Sequence, residues 1–127
     1  MSHYLPNDNP HHWSYWLPEQ RQRLPEPWPE AGTRKQTANG DEIELRARVV
    51  DLDPMEQRLT LEMRAELWRE GRLVTHEDRL LHENLYFPNE ILLMLANAGF
   101  ADVSVRPGYR ARNPTAEDTT LVFIARR

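Results

Sequence analysis

The stretch DEIELRARVV, residues 41–50, decides the fold of this chain because its apolar and charged side chains alternate. Apolar residues occupy the odd positions from Ile43 to Val49, and charged residues occupy the even positions from Glu42 to Arg48. A period of two is typical of a β-strand, in which neighbouring side chains point to opposite faces. The stretch therefore predicts a half-buried strand with an apolar inner face and a solvated, charged outer face.

The same pattern continues downstream and predicts two further strands. Residues 59–68, LTLEMRAELW, alternate in the same way, and residues 72–87 alternate more weakly. Turn signals separate the three segments, namely Asp53-Pro54 and Glu70-Gly71. Strands joined by short turns are antiparallel neighbours, so residues 42–87 are expected to form a three-stranded antiparallel meander.

After the meander, the sequence FPNEILLMLANAGF, residues 87–100, predicts the main helix. Pro88 suits the first helical position, and Glu90 places a carboxylate near the positive end of the helix dipole. Apolar residues recur at helical spacing until Gly99, a residue type that commonly ends helices. A helix over 88–98, strands over 101–106 and 119–125, and the meander together predict an α+β fold with a C-terminal pair of strands.

The first forty residues differ from the rest in composition. They contain six of the ten prolines and three of the four tryptophans. Proline at this density disfavours long regular elements, whereas the aromatic residues argue against a disordered tail. Residues 1–40 are therefore predicted to be an irregular arm packed on a single domain that comprises residues 41–127. The aromatic contacts are assigned to four residues: Trp13, Tyr15, Trp16 and Trp28.

Composition excludes several classes of protein. The net charge is −4 with both signs interspersed, which gives no support to a nucleic-acid or anionic-membrane surface. The chain has no cysteine, and no apolar run approaches the roughly 20 residues of a membrane span. A soluble, cytoplasmic protein is expected.

The second half of the chain resembles a known family. NLYFPNEILLMLANAGFADVSV, followed by Gly108-Tyr109 and PTAEDTTLVFIARR, is similar to the C-terminal end of class I S-adenosylmethionine-dependent methyltransferases. The preceding strands resemble the antiparallel insertion of members that act on small molecules. The resemblance implies a substrate-capping half of such an enzyme, truncated or split, which is not catalytic alone.

The cofactor-binding half that the resemblance requires is missing from the sequence. That half needs a glycine-rich turn between a strand and a helix. The five glycines nowhere occur in a G-x-G spacing, and nothing before residue 88 reads as a parallel βαβ unit. We therefore expect no cofactor to be bound by this chain alone, with S-adenosylmethionine present only through a partner.

Loss of the parallel sheet would leave an edge or a face exposed, and exposed edges invite pairing with another chain. The chain is therefore expected to form a homodimer or to bind a cofactor-binding partner chain, unless the arm covers the gap. A stand-alone, non-catalytic module that binds a small ligand or another protein remains an alternative.

Two sets of candidate site residues follow. The residues expected to line a pocket for a small-molecule acceptor are Trp68, His82, Tyr86 and Tyr109. A small acid–base enzyme using His76, Asp78 and His82 is a further alternative, because these residues share one face of the third strand. Catalytic residues are unassigned, and no metal site is expected.

Overall fold

A computed structural model describes residues 2–4 and 10–127 of the chain, with side chains from residue 11 onward. The strands are β1 (Ser2–Tyr4), β2 (Thr33–Gln36), β3 (Glu42–Asp53), β4 (Arg58–Arg69), β5 (Arg72–Asn84), β6 (Asp102–Pro107) and β7 (Thr120–Arg126). The α-helices are α1 (Pro10–Trp13), α2 (Pro18–Arg21) and α3 (Pro88–Asn97), and a 3-10 turn covers Ser14–Trp16.

The strands form two antiparallel sheets. One sheet has four strands in the order β2-β3-β4-β5, and the other has three in the order β1-β7-β6. The predicted α+β class, the meander, the main helix and the C-terminal strand pair are confirmed. Each sheet also contains one strand that the sequence analysis did not anticipate, namely β2 and β1.

The chain divides into two compact units. One comprises residues 1–14 and 86–127, and the other comprises residues 15–85. We call them the helix unit and the sheet unit. The division falls at different positions from the predicted arm and domain, because the first forty residues contribute to both units.

The strand β2 lies within the segment predicted to be irregular. Its residues TRKQ are all exposed and carry no apolar alternation. It pairs with β3 through a turn in which the Thr37 N–H donates to the Asp41 carbonyl at 2.7 Å and Gly40 has φ of 89°. Asn39-Gly40 at this turn is a hairpin signal, so the sequence did contain evidence for β2.

The helix unit packs α3 on the three-stranded sheet. Its buried core consists of Ile91, Leu121 and Phe123. The helix begins where the Phe87 N–H donates to the Glu90 carboxylate at 2.9 Å, and it stops before Gly99, which has φ of 95°. Trp13 contacts Phe87 with ring centroids 5.6 Å apart. No helix in residues 10–127 has the length and apolar character needed to cross a bilayer.

Candidate binding face

Strand register assigns the side chains of the sheet unit to two faces. Residues directly opposite each other in an antiparallel pair lie on the same face. Leu45 faces Ala65, and Ala65 faces Glu77, so this row lies on what we call the apolar face. Glu44 faces Glu66, which faces His76, so this row lies on the opposite, charged face.

One half of the apolar face is covered by the N-terminal segment. Tyr15 packs in a buried core, with Trp16 and Leu24 packed partly buried against it. The strand residues in this core are Val49, Leu52, Leu59 and Leu61. The core therefore occupies only the end of the sheet at which β3 turns into β4.

Tyr15 is tied to the sheet through a carboxylate. Its hydroxyl donates to Glu26, whose other carboxylate oxygen accepts a 2.8 Å hydrogen bond from the Val49 N–H. Burial, together with the hydrogen bond to Glu26 and the negative charge of that residue, raises the pKa of Tyr15 to about 12. The N-terminal segment is thus held to β3 by a hydrogen bond that connects core and backbone.

The rest of the apolar face is open, including Leu81 on β5 opposite the buried Leu61. Leu45 is 43% exposed and Leu81 is 46% exposed, although both are large apolar residues on the face that normally packs inward. We call this region the open apolar face. Its apolar residues are Ile43, Leu45, Ala47, Met63, Ala65, Leu67 and Leu81, and β5 adds Thr75, Glu77 and Arg79 at its edge. A shallow cavity of about 440 Å³ lies on it and reaches from Ile43 across Ala65 to Thr75.

The charged face is the more covered of the two at its centre, which corrects the prediction of a solvated outer face. Glu44 is only 1% exposed and Glu66 only 9%. On the same face, the Trp28 ring lies 4.6 Å from the Arg48 guanidinium and 4.5 Å from that of Arg64. Cation–π contacts of this kind favour burial of the ring against the arginines.

Glu44 is held as a carboxylate by several donors. The Gly32 N–H donates to Oε1 at 2.8 Å, and Arg34 and Arg46 approach Oε2 at 3.3 and 3.4 Å. The Gly32 hydrogen bond is the main cause that lowers the pKa of Glu44, and the two arginines add to it. A side chain at Gly32 would place its Cβ 2.1 Å from the Leu45 carbonyl oxygen, so this close approach requires glycine.

The charged face also contains buried polar atoms without hydrogen bonds in the described part of the chain. They are Arg46 Nε, Glu66 Oε1 and Trp68 Nε1. Glu66 Oε1 lies 3.4 Å from an Arg46 nitrogen, which is an ion pair without hydrogen-bond geometry. Its charge is therefore compensated, and the cluster is a structural part of the face.

The acid–base candidates all lie on this charged face, but they do not converge. Asp78 accepts two hydrogen bonds from Arg64, at 2.8 and 2.9 Å, and this contact lowers its pKa. His82 contacts Thr60 through Nδ1 at 3.0 Å. Six residues separate His76 from His82 along β5, which corresponds to about 20 Å. Among the described residues no group of three His, Asp or Glu side chains is arranged to hold a metal ion.

The predicted acceptor residues are distributed over both units. His82 on β5 lies opposite Thr60 on β4, and Thr60 is eight residues, or about 27 Å, from Trp68 along that strand. The structure therefore does not bring Trp68 and His82 together. Trp68 is partly buried, and the Arg34 guanidinium lies 5.5 Å from its ring. Tyr86 packs against the core of the helix unit, whereas Tyr109 is 97% exposed.

A second cavity lies in the helix unit. It measures about 320 Å³ and is bordered by Gly108, Arg110 and Asp118, among others. Asp118 accepts hydrogen bonds from Arg112 at 2.6 Å and from the Thr115 N–H at 2.7 Å, which lower its pKa to about 2. These contacts fix the loop before β7, so Arg112 is engaged within the loop.

An exposed edge or face was expected, but its position was not, because alternation identifies the apolar side of a strand without showing what covers it. All five strand pairings among the described residues are antiparallel.

Comparison with models of protein families, with curated proteins and with solved structures finds no match to this chain. The resemblance to methyltransferases therefore stays a prediction, supported only by the residues that carry it.

Proposed function

We propose that this chain is the substrate-capping lobe of a small-molecule S-adenosylmethionine-dependent methyltransferase, acting with a separate cofactor-binding chain and not catalytic alone. The observation that carries the proposal is the open apolar face. A sheet that leaves its apolar face open while its charged face is partly covered is built to cover something outside itself.

The role of the lobe follows from the needs of methyl transfer. The cofactor supplies an activated methyl group, which the acceptor takes by in-line displacement. Such a reaction depends on alignment of the reacting atoms and on exclusion of water. The open apolar face suits both the alignment of an acceptor and the exclusion of water, because Leu45, Met63 and Leu81 present apolar surface on an antiparallel sheet.

Photo-crosslinking from this face tests the proposal. Ala47 is exposed on the open apolar face, so p-benzoylphenylalanine at this position is expected to crosslink in cells to a chain that binds S-adenosylmethionine. Methyl transfer is then expected only when both chains are present. The matched control carries the same group at Met55, which is 89% exposed in the turn between β3 and β4 and is expected not to crosslink.

A second function, favoured by the same face and its cavity, is a non-catalytic module that binds a small ligand or another protein. The crosslinking experiment separates the two. A crosslinked partner that does not bind S-adenosylmethionine would overturn the capping proposal and support the module. The acid–base alternative has less support, because Asp78 is occupied by Arg64 and the histidines are far apart along the strand.

A further inference from the structure

The strand β5 is a long, uncovered edge of the four-stranded sheet. It pairs with β4 on one side, and no strand of the described residues pairs with its other side. All thirteen residues of β5 are exposed, and the strand contains neither proline nor glycine. At about 3.4 Å per residue it presents about 44 Å of edge.

Such an edge carries backbone N–H and C=O groups that are ready to pair with another strand. Proteins commonly protect edges with prolines, short strands, bulges or charged side chains. The strand β5 is long and contains no proline, although it carries charged side chains. Glu77 and Arg79 lie two residues apart on the same face of β5 and carry opposite charges. An antiparallel second copy of the strand can therefore place each of these residues opposite a residue of opposite charge.

We propose that β5 pairs with β5 of a second copy of this chain, antiparallel, with Asp78 on the two-fold axis. This homodimer is the one that the sequence led us to expect, and it is separate from the cofactor-binding chain of the proposed function. The assembly would be one continuous eight-stranded antiparallel sheet.

The register follows from symmetry and charge. A two-fold axis perpendicular to the sheet keeps the apolar faces of both copies on one side and the charged faces on the other. Two β5 residues that lie opposite each other must therefore both be odd-numbered or both be even-numbered. With Asp78 on the axis, Glu77 lies opposite the partner's Arg79, and all thirteen residues find a partner position. A shift by one pleat in either direction would lose both Glu77–Arg79 pairs and would still place like charges on the axis, either Glu77 opposite the partner's Glu77 or Arg79 opposite the partner's Arg79.

The two Asp78 carboxylates meet at the axis in this register, and each is already compensated. Arg64 of the same chain donates to both oxygens of Asp78 at 2.8 and 2.9 Å. His76 and Arg48 also lie near Asp78 on this face, and Glu62 and Glu66 lie near Arg64. Repulsion across the axis is therefore weakened by the arginine of each copy.

The register also gives the apolar residues of the edge suitable neighbours. Leu81, 46% exposed, lies opposite the partner's Thr75, and Leu80, 62% exposed, lies opposite the partner's His76. Both leucines would lose exposed surface in the dimer. Because the axis keeps the faces on their own sides, the two open apolar faces would form one continuous surface.

Charge reversal tests the proposal with the full-length chain. Glu77→Arg and Arg79→Glu each place like charges opposite each other in the homodimer, at two symmetric positions. Each variant is expected to raise the dimer dissociation constant by roughly tenfold or more. An equimolar mixture of the two variants restores opposite charges at both positions, so a heterodimer is expected to form. Sedimentation velocity measures the dissociation of each variant, and native mass spectrometry detects the heterodimer. One chain has a mass of 15.0 kDa, so monomer and dimer are readily distinguished.

The mixture is decisive because Glu77 and Arg79 also contact each other within one strand, with Arg79 Nε 2.9 Å from the carboxylate. Mixing cannot restore that contact, since neither variant contains both residues. Glu83→Arg makes the same change of charge opposite the partner's Leu73 and is expected to leave the dimer intact. A monomeric wild-type chain, or single variants that dimerise like wild type, or a mixture that stays monomeric, would each overturn the proposal. None of these results bears on the open apolar face, which the Ala47 crosslink tests separately.

Discussion

At the scale of single residues, Tyr15 shows how the N-terminal segment is held to the sheet unit. Its ring fills the core beside Val49 and Leu59, and its hydroxyl donates to Glu26. The carboxylate of Glu26 also accepts from the backbone of β3, so one acidic residue connects a buried phenol to a strand. A composition rich in proline and tryptophan predicts a packed segment of this kind but does not predict the hydrogen bonds that hold it.

The raised pKa of Tyr15 leads to a pH prediction. The phenol of the unfolded chain ionises near 10.0, whereas that of the folded chain ionises at about 12. The contribution of Tyr15 to the free energy of unfolding is therefore complete below pH 10.0 and is lost as pH rises from 10.0 to about 12. Tyr15→Phe should remove this pH dependence and delete one transition from the ultraviolet titration.

The titration has a clear contrary outcome. Tyr109 is 97% exposed, so Tyr109→Phe serves as the control and should leave the Tyr15 transition unchanged. A Tyr15 phenol that ionises near 10.0 would mean that the hydroxyl is not buried against Glu26.

At the scale of elements, the sheet unit divides one apolar face into a covered half and an open half. Leu59 belongs to the covered half and is 1% exposed, whereas Leu45 belongs to the open half and is 43% exposed. The two residues lie on neighbouring strands and share the same face. Their different surroundings separate the residues that hold the fold together from those available for binding.

Leucine-to-alanine substitutions measure this difference. Leu59→Ala leaves a cavity in a closed core and should lower the free energy of unfolding by about 2–5 kcal/mol. Leu45→Ala should lower it by less than about 1 kcal/mol, because much of the Leu45 side chain already contacts water. Urea unfolding of the isolated chain measures both changes, and equal losses for the two variants would show that the apolar face is covered at both ends.

The elements themselves were largely predictable from the sequence. The alternation of apolar and charged residues predicted β3 and β4. The apolar spacing between Pro88 and Gly99 predicted α3, with its last residue misplaced by one position. The strand β2 was missed because its residues are polar and exposed, although Asn39-Gly40 marks its hairpin. The burial of Glu44 was also missed, because it depends on Gly32, which lies twelve residues away in the chain.

At the scale of the whole molecule, the chain consists of two units with separate cores. The helix unit contains α3 on a three-stranded sheet, and the sheet unit contains the four-stranded sheet with its open apolar face. Neither described sheet contains a parallel pair, and a nucleotide-binding half is built from parallel strands joined by helices. The proposed function therefore assigns the cofactor to another chain and the covering of the acceptor to this one.

Isothermal titration of S-adenosylmethionine into the full-length chain tests this division most directly. The account predicts no saturable heat from the chain alone at millimolar ligand, and saturable binding once the crosslinked partner chain is present. Saturation of the isolated chain at one cofactor per copy, with micromolar affinity, would contradict it.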